Sequence, residues 1–206
     1  PGRVALSKDG VSWTVKYCNI NEEVDKLVFE GNQFFAFTKN RSVLSSVDGV
    51  SWEYVDLAGI NFSNISYVHD RYFAYGKDIA MSFDGKIWNI VHNIENGDIH
   101  TVIWKNNKFI SIGTADYDLP GNPKLKNICY ESEDGQNWSN SIFNSEAVIE
   151  KVAQYNNIFL ALGHSYGDFN YRQGYYYKNY HILSSEDGVN WKNIRDNITC
   201  PVDILC

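Results

Sequence analysis

One heptad recurs five times, and it constrains this chain more than any other feature. The copies are Ser7–Trp13, Ser46–Trp52, Ser82–Trp88, Ser132–Trp138 and Ser185–Trp191, and each reads S-x-D-G-x-x-W. The tryptophans stand at 13, 52, 88, 138 and 191, so successive copies lie 39, 36, 50 and 53 residues apart. Self-similarity at this period marks a repeat architecture, in which one supersecondary unit is copied and each copy covers its neighbour. Five of the six tryptophans belong to the heptad, and only Trp104 lies outside it.

Each repeat shares an inner grammar. In the second, the apolar run 26–29 (KLVF) is followed by a Glu-Gly-Asn-Gln break, then 34–38 (FFAFT), a polar break, 42–46, the heptad turn and 52–55 (WEYV). Short runs rich in aromatic and β-branched residues, punctuated by Asn, Gly and Asp, read as strands joined by hairpins. The Asp-Gly pair supplies the positive φ values of a two-residue hairpin turn. Four strands in about forty residues is the arithmetic of a β-propeller blade. The same grammar gives strands over 65–68, 72–76, 79–82 and 88–91, over 101–104, 109–113, 128–132 and 138–141, and over 152–155, 158–163, 181–185 and 191–194. The stretch 3–7 has the place of a third strand and 202–206 that of a first. The expected fold is therefore all-β, a single domain over 1–206. It is a propeller of about five four-stranded blades, with one blade shared between the two termini so that no sheet edge is left open. A section of a longer propeller and a pair of copies completing one another are the rival arrangements.

The heptads resemble Asp-boxes, also called BNR repeats, known from sialidases and many other propellers. The family pattern is S-x-D-x-G-x-x-W, and here one residue is missing between Asp and Trp in all five copies. The resemblance covers essentially the whole chain. It implies that Ser7, Asp9, Gly10 and Trp13, Ser46, Asp48, Gly49 and Trp52, Ser82, Asp84, Gly85 and Trp88, Ser132, Asp134, Gly135 and Trp138, and Ser185, Asp187, Gly188 and Trp191 are structural. The Ser and Asp side chains would tie down the turn between the third and fourth strands, and the Trp would lie on the core. A box of this kind fixes a scaffold and is silent on activity.

Charge and spacing exclude several functions. A formal charge of −7 with scattered lysines argues against a nucleic-acid partner, which needs a concentrated positive face. No run of eighteen apolar residues is present, so membrane insertion is not expected. The histidines (His69, His92, His100, His164, His181) lack zinc-site spacing, and no calcium-loop pattern surrounds Asp116, Asp118 and Asp168. No metal and no cofactor is expected, nor is nucleophilic or nucleotide chemistry. Cys18, Cys129, Cys200 and Cys206 permit two disulfides or four reduced thiols. The sialidase resemblance would require an arginine triad, but Arg3, Arg41, Arg71, Arg172 and Arg195 show no spacing that favours one, so that activity is not expected.

The connections between second and third strands differ between repeats. They are two or three residues long in the second and third repeats, but grow to 114–127 and 164–180 in the last two. Long insertions at equivalent points of neighbouring repeats read as loops on one binding face. They carry Asp116, Tyr117, Asp118, Asp168, Tyr171, Arg172, Tyr175, Tyr176 and Tyr177 as candidate ligand contacts. Flat tyrosine faces with directional carboxylate and guanidinium groups suit sugar rings and suit protein epitopes. The expected function is a non-catalytic, lectin-like module for a carbohydrate or glycoprotein surface, at an extracellular or surface location. The alternative is a structural or assembly domain, contacting other protein subunits, of a larger secreted, surface or phage-tail protein. A glycoside hydrolase ranks third.

Overall fold

The computed structural model describes residues 2–57, 59–119, 122–170 and 175–198, with side chains described outside 116–124, 168–176 and 196–198. The described residues are all-β, and every sheet is an antiparallel meander. The first sheet has two strands, β1 (Gly2–Leu6) and β2 (Thr14–Cys18). The second runs β3 (Val24–Glu30), β4 (Gln33–Thr38), β5 (Val43–Ser46) and β6 (Glu53–Tyr54). The third runs β7 (Phe62–Val68), β8 (Arg71–Gly76), β9 (Asp78–Ser82) and β10 (Asn89–Asn93). The fourth is β11 (Gly97–Lys105), β12 (Lys108–Leu119), β13 (Asn122–Ser132) and β14 (Ser139–Asn140). The fifth is β15 (Val148–Tyr155), β16 (Ile158–Asn170), β17 (Tyr175–Ser185) and β18 (Lys192–Ile198). This is the blade pattern of a β-propeller, as the repeat arithmetic predicted. The stretch 202–206, the expected closing strand, lies outside the described residues, as do Cys200 and Cys206. Cys18 and Cys129 are free, buried thiols.

The chain divides into two compact units. The first holds Pro1–Ile60, Ile65–Ala74 and Ala80–Ile90, and the second holds Asn61–Asn64, Tyr75–Ile79 and Val91–Cys206. In the first unit Cys18, Ile20, Ala36, Leu44 and Trp52 form a core, with Val4 and Phe34 packed against it. In the second, Ile103, Ile110, Ile112 and Cys129 of the fourth sheet meet Ala147, Ile149, Phe159, Ala161, Leu183 and Trp191 of the fifth. In each core the tryptophan of the later sheet covers the face of the sheet before it. Trp52 and Trp191 are accordingly 5% exposed, whereas Trp13, whose sheet has none before it among the described residues, is 61% exposed.

The heptad geometry is the same in all five copies. The Ser Oγ lies 3.0 Å from the Asp Oδ1 each time, and accepts the Gly N–H at 2.8–2.9 Å. The Asp Oδ1 also accepts the next two backbone N–H groups, as from Val50 and Ser51 at 2.8 Å. The Trp Nε1 donates to the Gly carbonyl at 2.9–3.2 Å. Only the glycine of each Asp-Gly pair has positive φ, between 73° and 79°. The predicted two-residue hairpin is therefore corrected. The whole heptad is a loop closed by its own side chains, which satisfy backbone donors that strand pairing would otherwise have used. Two-residue turns with positive φ occur instead between first and second strands, at Gly31-Asn32, His69-Asp70 and Asn106-Asn107.

The larger correction concerns 114–127 and 164–180, whose described residues are paired strands rather than loops. β12 and β13 stay paired from Phe109↔Ser132 out to Leu119↔Asn122. β16 and β17 stay paired from Phe159↔Ser185 to Asn170↔Tyr175, with one irregularity between Tyr166 and Phe169. The segment 164–180 is rich in tyrosine, which favours extended backbone, and in both segments the ladder continues past the sheet as a two-stranded arm. Asp116, Tyr117 and Asp118 stand in β12 opposite Leu125, Lys124 and Pro123. Asp168 lies in β16, while Tyr175, Tyr176 and Tyr177 lie in β17. Tyr171 and Arg172 lie outside the described residues.

Candidate functional site at the base of two hairpin arms

Both arms belong to the second unit, and they are joined. The Leu125 N–H of the β12–β13 arm donates to the Tyr166 Oη of the β16–β17 arm at 2.9 Å. Three first strands carry a bulge at equivalent positions: Asp25 in β3, between Val24 and Lys26, His100 in β11, between Ile99 and Thr101, and Glu150 in β15, between Ile149 and Lys151, the last two in the arm-bearing sheets. A bulge inserts an unpaired residue and re-aims its side chain. His100 Nε2 meets Thr114 Oγ1 at 2.9 Å. Glu150 Oε1 lies 2.8 Å from His164 Nδ1 and 3.0 Å from Lys178 Nζ. The His164 contact is close enough for an ion pair but lies off the line of a straight hydrogen bond, and Nε2 of this fully buried ring has no protein partner.

Charge is set by these neighbours. The His164 contact, ahead of the opposing burial and with help from Lys178, holds the Glu150 carboxyl down at about 2. Burial lowers His100 below the usual imidazole range, against the carboxylates of Asp98 and Glu150, which act to raise it. Aromatic surface adjoins the cluster. The Tyr166 ring stands edge-on to His164 at 5.0 Å, Tyr180 lies 6.3 Å away, and Tyr177 is 51% exposed on the arm above.

On the opposite parity of the fifth sheet, Ser165, His181 and Asn193 form a chain across β16, β17 and β18. Ser165 Oγ lies 2.8 Å from His181 Nε2, and His181 Nδ1 lies 3.1 Å from Asn193 Nδ2. The expectation that nucleophilic chemistry is absent overlooked this, although Gly163-His164-Ser165-Tyr166-Gly167 has G-x-S-x-G spacing. The run lies inside the continuous strand β16 rather than at a strand-to-helix turn, so it makes no nucleophile elbow. Gly163 is required by close packing, since a Cβ there would stand 2.6 Å from the Val148 carbonyl oxygen.

Of the predicted contact residues, Tyr177 is the one whose side chain is described, and it lies on this arm. The sequence reading missed His100, Glu150, His164, Lys178, Ser165, His181 and Asn193. A bulge leaves no mark in the periodicity, and partners brought together across strands are invisible to spacing. Asn127 was also missed: its side-chain amide donates to the Ala147 carbonyl and accepts from the Ile149 N–H, both at 2.8 Å, stitching the fourth sheet to the fifth. Elsewhere, Lys108, Glu131, Ser132, Glu133, Asp134, Asn137 and Ser139 line an open depression beside the fourth heptad, away from both arms. Among the described residues no group of three His, Cys, Asp or Glu side chains could hold a metal ion.

No family model matches the chain, and no curated protein does. Solved structures similar to it include a Bombyx mori GH32 beta-fructofuranosidase, at 9% identity and a TM-score of 0.41 over 85% of this chain. The chain spans 34% of that enzyme's length. A Cellvibrio cellulosa alpha-L-arabinanase complexed with arabinohexaose is 11% identical, with a TM-score of 0.30, over 84% of this chain and 96% of its own. A luciferin-regenerating enzyme is 9% identical, with a TM-score of 0.42, over 95% of this chain and 80% of its own. Likeness at this level carries no assignment of activity. The expected role as a non-catalytic module binding through two loops is nonetheless corrected. The described residues of the two segments are paired strands rather than loops, and the similar structures named above include a beta-fructofuranosidase and an arabinanase.

Proposed function

We propose that this chain is an Asp-box β-propeller domain that processes carbohydrate, with the glycan laid along the two arms and the reaction centred on the bulge cluster at their base. The observation that carries the reading is geometric: Leu125 and Tyr166 join the arms, and the Tyr166 ring stands 5.0 Å from His164, which lies 2.8 Å from Glu150. The exposed Tyr177 offers a ring face, and the tyrosines and carboxylates in the sequence of both arms are residue types that suit sugar rings. Glu150, held charged, fits the nucleophile or charge-stabilising role of glycoside hydrolysis, because the partner group must be the one that keeps its proton.

The test is calorimetric titration with a panel of soluble polysaccharides, run beside an assay for reducing ends. The parent is expected to bind and to release reducing ends. Glu150→Gln should bind within about threefold but lose turnover by about a hundredfold or more. Tyr177→Ala should weaken binding. Failure of the parent to bind any glycan would sink the reading and turn attention to a protein partner. Unchanged turnover in Glu150→Gln would remove the bulge cluster from the reaction.

A further inference from the structure

We infer that Ser165, His181 and Asn193 form a nucleophile, base and orienting group able to hydrolyse carboxylic esters of small acyl groups. The inference is independent of the glycan reading, since it concerns different residues on the other parity of the fifth sheet.

Three observations carry it. The distances are those of an activated hydroxyl: 2.8 Å from Ser165 Oγ to His181 Nε2, and 3.1 Å from His181 Nδ1 to the Asn193 amide. All three side chains are partly exposed, so that an ester can reach the serine. The rigidity is that of a strand ladder, with Ser165↔Asn179 and Gly163↔His181 in register at the point where the sheet becomes the arm. Catalytic groups held on paired strands keep their geometry better than groups on loops.

The tautomer follows from the amide. With Asn193 Nδ2 facing Nδ1, the proton sits on Nε2 and the ring donates to the serine. Turning the amide by a half-rotation leaves its heavy-atom outline unchanged and places Oδ1 at the same point. Nδ1–H then donates to Oδ1, and the Nε2 lone pair accepts the Ser165 hydroxyl proton, which is the orientation the chemistry needs. Ser165 Oγ adds to the ester carbonyl carbon as its proton passes to His181 Nε2. Collapse breaks the bond to the alcohol oxygen, which takes that proton and leaves, giving an acyl-serine. A water then adds to the acyl carbon, giving its proton to Nε2. Serine departs by taking that proton back, and the carboxylic acid is released. No oxidant, metal or further reactant is involved.

The experiment treats the full chain with a fluorophosphonate probe, reads the adduct by intact mass and peptide mapping, and measures 4-nitrophenyl acetate hydrolysis in parallel. The parent should gain a single adduct on Ser165 and hydrolyse the ester well above the heat-unfolded chain. Ser165→Ala should lose both, and His181→Gln should lose hydrolysis by about a hundredfold or more. Asn193→Asp, which still accepts from Nδ1–H, should stay within about tenfold, whereas Asn193→Ala should fall further. Circular dichroism of each variant separates lost chemistry from lost fold. Absence of an adduct in the folded parent, an adduct that persists in Ser165→Ala, or equal hydrolysis in His181→Gln would each reduce the trio to a structural hydrogen-bond chain.

Discussion

The sheets of this protein end in two different ways, and the contrast separates what repeats from what varies. At the end where third strands meet fourth strands, five heptads repeat one hydrogen-bond pattern, with the Ser–Asp contact at 3.0 Å in every copy. At the end where second strands meet third strands, no two connections in the last three sheets are alike. The third sheet turns from Gly76 to Asp78, the fourth extends an arm to Leu119, and the fifth extends one to Asn170. A turn repeated without change is answering a backbone requirement common to every blade. Connections that differ are free of that requirement, and there the polar clusters, the bulged His100 and Glu150 and the exposed tyrosine gather. The same contrast holds among the tryptophans. Identical in sequence setting, they differ in burial: Trp52 and Trp191, packed in the cores, are 5% exposed, Trp88 and Trp138 are half-buried, and Trp13 is 61% exposed.

That difference gives the largest expected effect. Trp191→Ala removes a 5% exposed indole from the core shared by the fourth and fifth sheets, and should cost about 3–5 kcal/mol by denaturant titration. Trp13→Ala, at 61% exposure, should cost well under about 1 kcal/mol on the same axis. Equal costs would mean that Trp13 is covered in solution, and would break the contrast between the first heptad tryptophan and the last. Next in size is Asp187→Ala. It leaves the Val189 and Asn190 backbone N–H groups without their acceptor, and should cost about 1–3 kcal/mol.

These two ends also differ in how far they could be read from the sequence. The heptad announces itself because Ser, Asp, Gly and Trp act within seven residues, so spacing along the chain equals spacing in space. The strands followed from the same local logic. The arms did not, because Tyr, Asp and Asn in a long connection satisfy loop composition and strand propensity alike, and the decision came from pairing between 109–119 and 122–132. The bulges are harder still. Ile99-His100-Thr101 and Ile149-Glu150-Lys151 look like ordinary strand, and only register against Gly113 and Gly163 exposes the extra residue. Ser165, His181 and Asn193 are twelve to sixteen residues apart in sequence and come together only across three strands.

Acid should expose both ends, with a sign that follows from the depressed carboxyls. Glu150 is lowered from 4.5 to about 2 in the folded chain. Asp187, despite burial that pushes it up, is brought to about 2 by Asn190 and Val189. A group whose folded pKa lies below its unfolded value contributes stability that is complete above the unfolded value and is lost as pH falls towards the folded one. The carboxylates' share of stability should thus be complete above about pH 5 and lost between there and about pH 2, while His100 and His92, lowered by burial, should cost stability as pH falls below the usual imidazole range, both read by urea midpoints at several pH values. Glu150→Gln should flatten part of that slope and leave the part due to the boxes. An unchanged slope would mean that Glu150 is no more tightly held in the folded chain than in the unfolded one.

The smallest expected effect on stability is also the sharpest test of the contrast. Tyr177 is 51% exposed on the outer part of an arm, so Tyr177→Ala removes little buried area and should shift the urea midpoint by less than about 0.5 kcal/mol. If the arms are where this chain meets a glycan, the same substitution should lower affinity by about tenfold or more, since one lost stacking ring is worth roughly 1–3 kcal/mol by analogy with base stacking on aromatic side chains. A variant that keeps its midpoint and loses its ligand would place function on the unrepeated end of the sheets. One that loses stability instead would show the arm to be a structural strap, held to its neighbour through Tyr166 and Leu125 and serving the scaffold as the boxes do.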